Sequence, residues 1–415
     1  MTARAPTESF FSRWQTLNDW LIKHRSIWQP APFTELRPAW VESHPGLAQM
    51  IAGLTGDECA ELDDEPQKLA DIASRYVPDL ALYAPLTDYP DLAPEYSDVL
   101  AATLPEVRAT DMPGRKREQA GAFAAALKPL QQPILDWCCG KGHLARTLAA
   151  QSQNDVAGYE WNPELVAEGN RLAARFADAV QIDCQDVMAK DLPVPENVHG
   201  VALHACGDLH RQLLKRGVVA ELPRLSVSPC CYHKTVEGIY TVLSESAATH
   251  EPKLVLDRSD LRLAVRETVT APAGVRQQTK TLSQWRLGFD GLQRDLRGVD
   301  QYLPVPSYPP GLIQKGFPEF CHWVASEKQL CLPANTDFEF WLAYGVHRHR
   351  EVRRYELIRH LFRRPLELWL VLDYAVYLEE QDYCVRLGRF CDRSLTPRNL
   401  LLDAVKKKGA RGRLC

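Results

Sequence analysis

No apolar run in this 415-residue chain approaches the ~20 residues that a helical membrane span requires, which excludes a helical membrane protein. The opening Met-Thr-Ala-Arg-Ala-Pro-Thr-Glu lacks the apolar stretch of a secretory signal, so export is not expected. There are twelve cysteines, but none are spaced Cys-x-x-Cys, and they do not form a small-domain disulfide framework. Reduced thiols in a cytoplasmic protein are therefore expected. No dedicated RNA-binding motif occurs. Strong charge of one sign is also missing, since the net is only −4. That near balance conceals an asymmetry: residues 1–112 carry 18 Asp/Glu against 8 Lys/Arg, and residues 113–415 carry 35 against 41. The basic part can face the acidic part or a polyanion.

What is present is concentrated in Gln132-Pro-Ile-Leu-Asp-Trp-Cys-Cys-Gly-Lys-Gly-His-Leu144. It reads as a short buried strand ending in Asp136, a turn carrying Gly140 and Gly142, and a helix opening at about His143. Glycine at both positions allows a tight turn and close backbone approach to a ligand. A second strand-like run, Val156-Ala-Gly-Tyr, ends at Glu160, where an open α/β sheet places the carboxylate that accepts a ribose diol. A nucleoside-type cofactor follows. Gly140-Lys-Gly-His-Leu-Ala145 also satisfies a loose dinucleotide fingerprint, so a nicotinamide-dependent oxidoreductase has to be weighed. Asp136 argues against it, because a carboxylate beside the turn repels a pyrophosphate and attracts a cationic amino-acid moiety.

At 415 residues, two units or one elaborated domain are expected. Residues 1–112 read as a helical accessory region, with Phe10, Trp14, Leu17 and Leu21 on one face and Leu69, Ile72 and Tyr76 on another. From about residue 113 helices and strands alternate. A helix over Arg115–Leu127 precedes the Ile134-Leu135 strand, and another over Glu164–Phe176 follows Glu160. Three further strands lead to Asp183-Cys-Gln-Asp186, His204-Ala-Cys-Gly-Asp208 and Ser228-Pro-Cys-Cys-Tyr-His233. Such alternation implies a parallel sheet whose ligands bind at the carboxyl ends of its strands. Residues 235–345 interrupt it and read as an insertion or lid. The apolar helix Leu366–Glu380 and two closing strands, from Asp382 and from Arg398, then complete the sheet.

Asp-x-x-x-Gly-x-Gly at Asp136–Gly142 resembles the first motif of class I S-adenosylmethionine-dependent methyltransferases. Together with His204-Ala-Cys-Gly and Ser228-Pro-Cys-Cys-Tyr-His, it is similar to the family containing tRNA 2′-O-methyltransferases and ribosomal-RNA adenine dimethylase domain-containing proteins. Glu367, Asp373, Leu378-Glu-Glu-Gln and Leu395-Thr-Pro-Arg-Asn-Leu match as well, so the resemblance covers roughly residues 114–235 and 365–405. It implies a Rossmann-like class I methyltransferase sheet at 113–415, with the insertion before the last two strands, and S-adenosyl-L-methionine as cofactor. Asp136, Gly140 and Gly142 would line its methionine part, Glu160 the ribose and Asp186 the adenine edge. Cys138 and His204 complete that set. For Asp186, capping a helix is the competing reading.

His204, Cys206, Cys230, Cys231 and His233 admit three readings. Zinc ligation is disfavoured by the rarity of adjacent cysteines as chelators, so no metal is expected. A covalent pyrimidine nucleophile at Cys206 or Cys230 needs a lowered thiol pKa. The preferred reading makes the cysteines small packers under the donor, with Tyr232 and His233 lining the acceptor pocket and His233 as general base. His233, Tyr232, Cys230 and His204 are the expected catalytic set. Arg115, Lys116 and Arg117 open a helix whose dipole disfavours cations there, which makes sense if a phosphate docks on them. With seven Arg against two Glu over His347–Arg364, and Lys406-Lys-Lys408, Arg411 and Arg413 in the tail, they favour RNA as acceptor. A protein acceptor stays open, as does a non-catalytic RNA-binding protein with a vestigial donor site.

Overall fold

The computed structural model describes residues 8–266, 273–309 and 311–407. The tail cations Lys408, Arg411 and Arg413 lie outside them. The described residues fall into two compact units: 8–22, 86–266 and 363–407 in one, 23–85 with 273–309 and 311–362 in the other. The expected accessory region and insertion are each shared between the two units.

The first unit is built on a seven-stranded sheet: β1 (Ile134–Trp137), β2 (Val156–Glu160), β3 (Val180–Cys184), β4 (His199–Cys206), β5 (Arg224–Cys230), β6 (Tyr383–Arg389) and β7 (Leu400–Lys406). Their order is β3-β2-β1-β4-β5-β7-β6. The first five strands are parallel, and β7 runs antiparallel to β5 and β6. The order reverses direction beside β1, between β1 and β4, and this switch point is where open sheets of this kind leave a crevice. β1 and β5 are buried along their whole length, as expected of strands covered on both faces.

The alanine-rich helix Gly114–Ala126 packs Phe123 against Phe390, and Ile134, Leu144, Val201 and Leu401 join the same core. Helix Arg363–Glu380 is buried on nearly every side, consistent with its apolar composition. Two ion clusters centred on carboxylates with buried side chains tie distant segments together. Asp178, just ahead of β3, accepts from Arg146 at 2.6 Å and from Arg108. Asp403 of β7 accepts from Arg224 of β5 at 2.8 and 3.1 Å, from Arg386 of β6 at 2.5 Å and from Ser226 at 2.6 Å.

The second unit is helical. Its long helices Ala273–Arg297 and Phe338–His360 approach backbone to backbone at glycines: a Cβ on Gly345 would lie 2.2 Å from the Gln284 carbonyl. Three of the seven arginines of His347–Arg364 turn to backbone carbonyls instead of an open basic face. Arg348 donates to the carbonyls of Pro32 and Glu35, Arg354 to Leu54 and Arg359 to Trp28, all within this unit. Arg348 and Arg359 are buried. Guanidinium groups here satisfy loop carbonyls that would otherwise be buried without donors.

Candidate active site

The glycine turn follows β1 as its spacing predicts. Gly140 and Gly142 have φ of 57° and 68°, the left-handed region that glycine adopts without strain. A Cβ on Gly142 would also sit 2.6 Å from Ile182 Cδ1, whereas one on Gly140 would meet nothing within 4 Å. Gly142 is therefore favoured by its backbone conformation and by the nearness of Ile182, and Gly140 borders open space. Replacing Gly142 by Ala should cost about 1–2 kcal/mol from backbone strain, plus the displacement of Ile182, measurable by urea denaturation.

Asp136 is almost wholly buried at the end of β1. Burial pushes its carboxyl up to about 8, opposed by the hydrogen bond from the Ala145 N–H. Its Oδ2 is buried and has no hydrogen-bond partner. Glu160, also buried, accepts from the Gly140 N–H at 3.1 Å and from the Asn162 N–H at 2.9 Å, which fixes it beside the turn. Asp186 is exposed and accepts from the Met188 N–H at 2.9 Å, with no helix following it; the helix-cap alternative is thereby removed, and the carboxylate closes a turn instead. Cys138 lies among these groups. Burial first, then the charges of Glu160, Asp136, Cys206 and Asp186, raise its thiol to about 12.

The carboxyl ends of the next two strands carry unusual backbone. Cys138, His204 and Cys231 all have positive φ (59°, 63° and 49°) without being glycine. The three lie at or near the carboxyl ends of three adjacent strands, β1, β4 and β5. At His204 the twist breaks the β4–β5 register, which resumes at Cys206 opposite Cys230. His204 is half-buried and its Nε2 is 3.3 Å from Gln119 Oε1; desolvation, then the nearby Arg398 charge, lowers it to about 4. Gly207 is fixed by close approach, because a Cβ there would stand 2.0 Å from the Lys234 carbonyl.

The fifth strand end turns inward at Tyr232. Tyr232, expected to line the acceptor pocket, is 1% exposed, with its hydroxyl 3.4 Å from Glu367 and its ring edge-on to His210. The turn at Cys231 directs it into the core. His233 is half-buried with Nδ1 enclosed and unpartnered, and desolvation lowers its pKa. Cys230 is buried, with its thiol raised above the usual range by its thiol neighbours and by burial, so a ready thiolate does not form at that position. Sequence reading passed over Gln119, which orients His204, and Trp161, 74% exposed beside Glu160. An aromatic residue after a strand-end carboxylate was the available signal for Trp161.

Residues 119–238 match the family model of a methyltransferase domain. A comparison with curated proteins finds no match. Among solved structures the chain is similar to a geranyl diphosphate methyltransferase in complex with GPP and sinefungin (17% identity, 27% of this chain and 44% of that one, TM-score 0.25). It is similar also to the Pyrococcus abyssi tRNA (uracil-54, C5)-methyltransferase (17% identity, 28% and 29%, TM-score 0.23). A third is an rRNA methylase from Streptococcus thermophilus (12% identity, 26% and 66%, TM-score 0.22). The chain thus covers less than two thirds of each of these proteins.

Residues 119–238 thus match a methyltransferase domain and lie on a sheet whose order reverses between β1 and β4. S-adenosylmethionine is accordingly its expected methyl donor. The residues present fit that group: Asp136 offers a buried acceptor with no partner, and the turn at Gly140 opens on space that a side chain would fill.

Proposed function

We propose that this chain is an S-adenosylmethionine-dependent methyltransferase that modifies RNA. The supporting observation is the first turn of helix Gly114–Ala126. Arg115 and Lys116 are exposed there, no acidic residue shares the turn, and Lys116 acts electrostatically on both His143 and His204. Two solvent-facing cations at the margin of the strand ends suit a phosphate backbone. Arg117 has a different role, since it donates to the Leu104 carbonyl at 3.1 Å and braces the helix.

In this reading Asp136 pairs with the donor's ammonium, Glu160 accepts the ribose hydroxyls, Asp186 accepts the adenine amine and Trp161 covers the adenine face. When bound, the donor supplies a methyl already activated by its sulfonium. The chain's own work is alignment of the acceptor with that methyl and removal of a proton where the acceptor atom carries one. His233 suits the second task, because desolvation favours its neutral imidazole. His204, neutral and held by Gln119, positions the β4 end.

Calorimetric titration with S-adenosylhomocysteine, with NAD in parallel, tests the donor site; binding of NAD alone would overturn it. The acceptor is tested by labelled-methyl transfer to RNA and protein extracts. Label in RNA is expected, and label confined to protein sinks the proposal. Charge reversal at Arg115 and Lys116 should weaken RNA binding and lower its salt dependence by about one unit of log–log slope per cation, with donor affinity unchanged.

A further inference from the structure

The ends of β4 and β5 bring Cys206, Cys230 and Cys231 into one cluster, with the three sulfurs all within 4.8 Å of one another. Cys206 Sγ and Cys230 Sγ are 4.0 Å apart. Neighbouring residues in extended chain point to opposite faces, which is why adjacent cysteines rarely share an ion. Here the φ of 49° at Cys231 removes that obstacle by turning its side chain back beside Cys230. The register break at His204 does the same for Cys206 from the facing strand. Two departures from ordinary backbone thus converge on one result, three thiols at the corners of a small triangle.

The size of that triangle is informative. An ion equidistant from three sulfurs with the 4.0 Å separation of the Cys206–Cys230 pair would lie about 2.3 Å from each, the zinc–thiolate bond length. At the 4.8 Å limit the distance would be about 2.8 Å, which small side-chain rotations close. Soft sulfur donors select soft or borderline d10 ions, not magnesium or calcium. We propose that Cys206, Cys230 and Cys231 form a trithiolate site for a thiophilic d10 cation, represented by Zn2+. Each sulfur forms one bond to the ion and releases its proton to solvent, three in all. Cys206 and Cys231 are half-exposed, so the ion has an entry path and a fourth position for water. Bound there, it would clamp the β4 and β5 ends and offset the strain at His204 and Cys231.

The test uses the full chain, reduced and stripped of metal with a chelator, then titrated with Co2+ and back-titrated with Zn2+. One equivalent of Co2+ should give thiolate-to-cobalt charge-transfer absorption that Zn2+ abolishes. Cys206→Ser and Cys231→Ser should each weaken binding roughly 100-fold or more, while Cys331→Ser, exposed in the other unit, leaves it unchanged. Alkylation mapping of the unmutated protein guards against variants that fail to fold. Zn2+ should protect Cys206 and Cys231 and leave Cys331 reactive. Absence of stoichiometric binding, or a bound ion that protects none of the three thiols, overturns the proposal.

Discussion

Asp136→Ala is expected to lower affinity for S-adenosylhomocysteine by roughly 100-fold or more, about 3 kcal/mol, with the fold retained. The carboxyl is buried, has one oxygen with no partner, and stands beside a turn that opens on space. A cationic ammonium supplies what that oxygen lacks, and alanine cannot. Burial holds the free protein's carboxyl near pH 8, so it binds a proton across most of the neutral range. The sign follows from linkage. Its folded pKa lies above the unfolded value of about 4, so the group's contribution is complete below about pH 4 and is lost as pH rises toward 8. Asp136→Asn removes that dependence, and its urea midpoint should vary less between about pH 5 and pH 8 than that of the unmutated chain. Donor affinity should fall as pH drops below about 8, because only the ionised carboxylate pairs with the ammonium. An Asp136→Ala protein that binds the homocysteine compound as before would refute the site assignment.

Local chemistry made the sheet readable and long-range geometry did not. Glycines after a buried strand, and a carboxylate at the end of the next, are short-range signals, and β1, β2 and the turn lie where those signals put them. The closing strands were readable because each holds a short apolar run, Tyr383-Cys-Val in β6 and Leu400-Leu-Leu in β7. The burial of Tyr232 was not legible because a single left-handed residue at Cys231 precedes it, and no pattern in Cys-Cys-Tyr-His announces it. The arginines of His347–Arg364 mislead for a related reason. Charge counts report composition, whereas the partners of Arg348, Arg354 and Arg359 are carbonyls some 300 residues away in the chain. The thiol cluster joins residues from two strands, so its triangle exists only once the β4–β5 register is set.

The second large effect lies at the far end of that sheet. Asp403→Ala should destabilise the sheet-bearing unit by about 3–5 kcal/mol, because it leaves the buried Arg224 without its counter-charge. Burial alone would raise this carboxyl, but Arg224, Ser226 and Arg386 overcome it and hold it at about 2. His199 extends the network, with Nε2 2.7 Å from Ser226 Oγ. Burial, then the Arg224 charge, keeps His199 neutral with a pKa of about 3, so Asp403 remains the counter-ion that Arg224 needs. Since the folded pKa of Asp403 is below the unfolded value of about 4, its contribution is complete above about pH 4 and is lost as pH falls toward 2. Urea denaturation at neutral pH should show the full loss in the variant, and the difference from the unmutated chain should shrink in acid. Asp403→Asn keeps the acceptor oxygen for Ser226 but not the charge, so it should still lose most of that stability. The network joins β7 to β5 and β6, and β7 is the strand that lets the C-terminal segment complete a sheet begun more than two hundred residues earlier. Loss of β7 would expose the edge of β5, whose carboxyl end carries Cys230. Donor affinity and thiol reactivity in the Asp403→Ala protein should therefore change with the unfolding transition, not ahead of it.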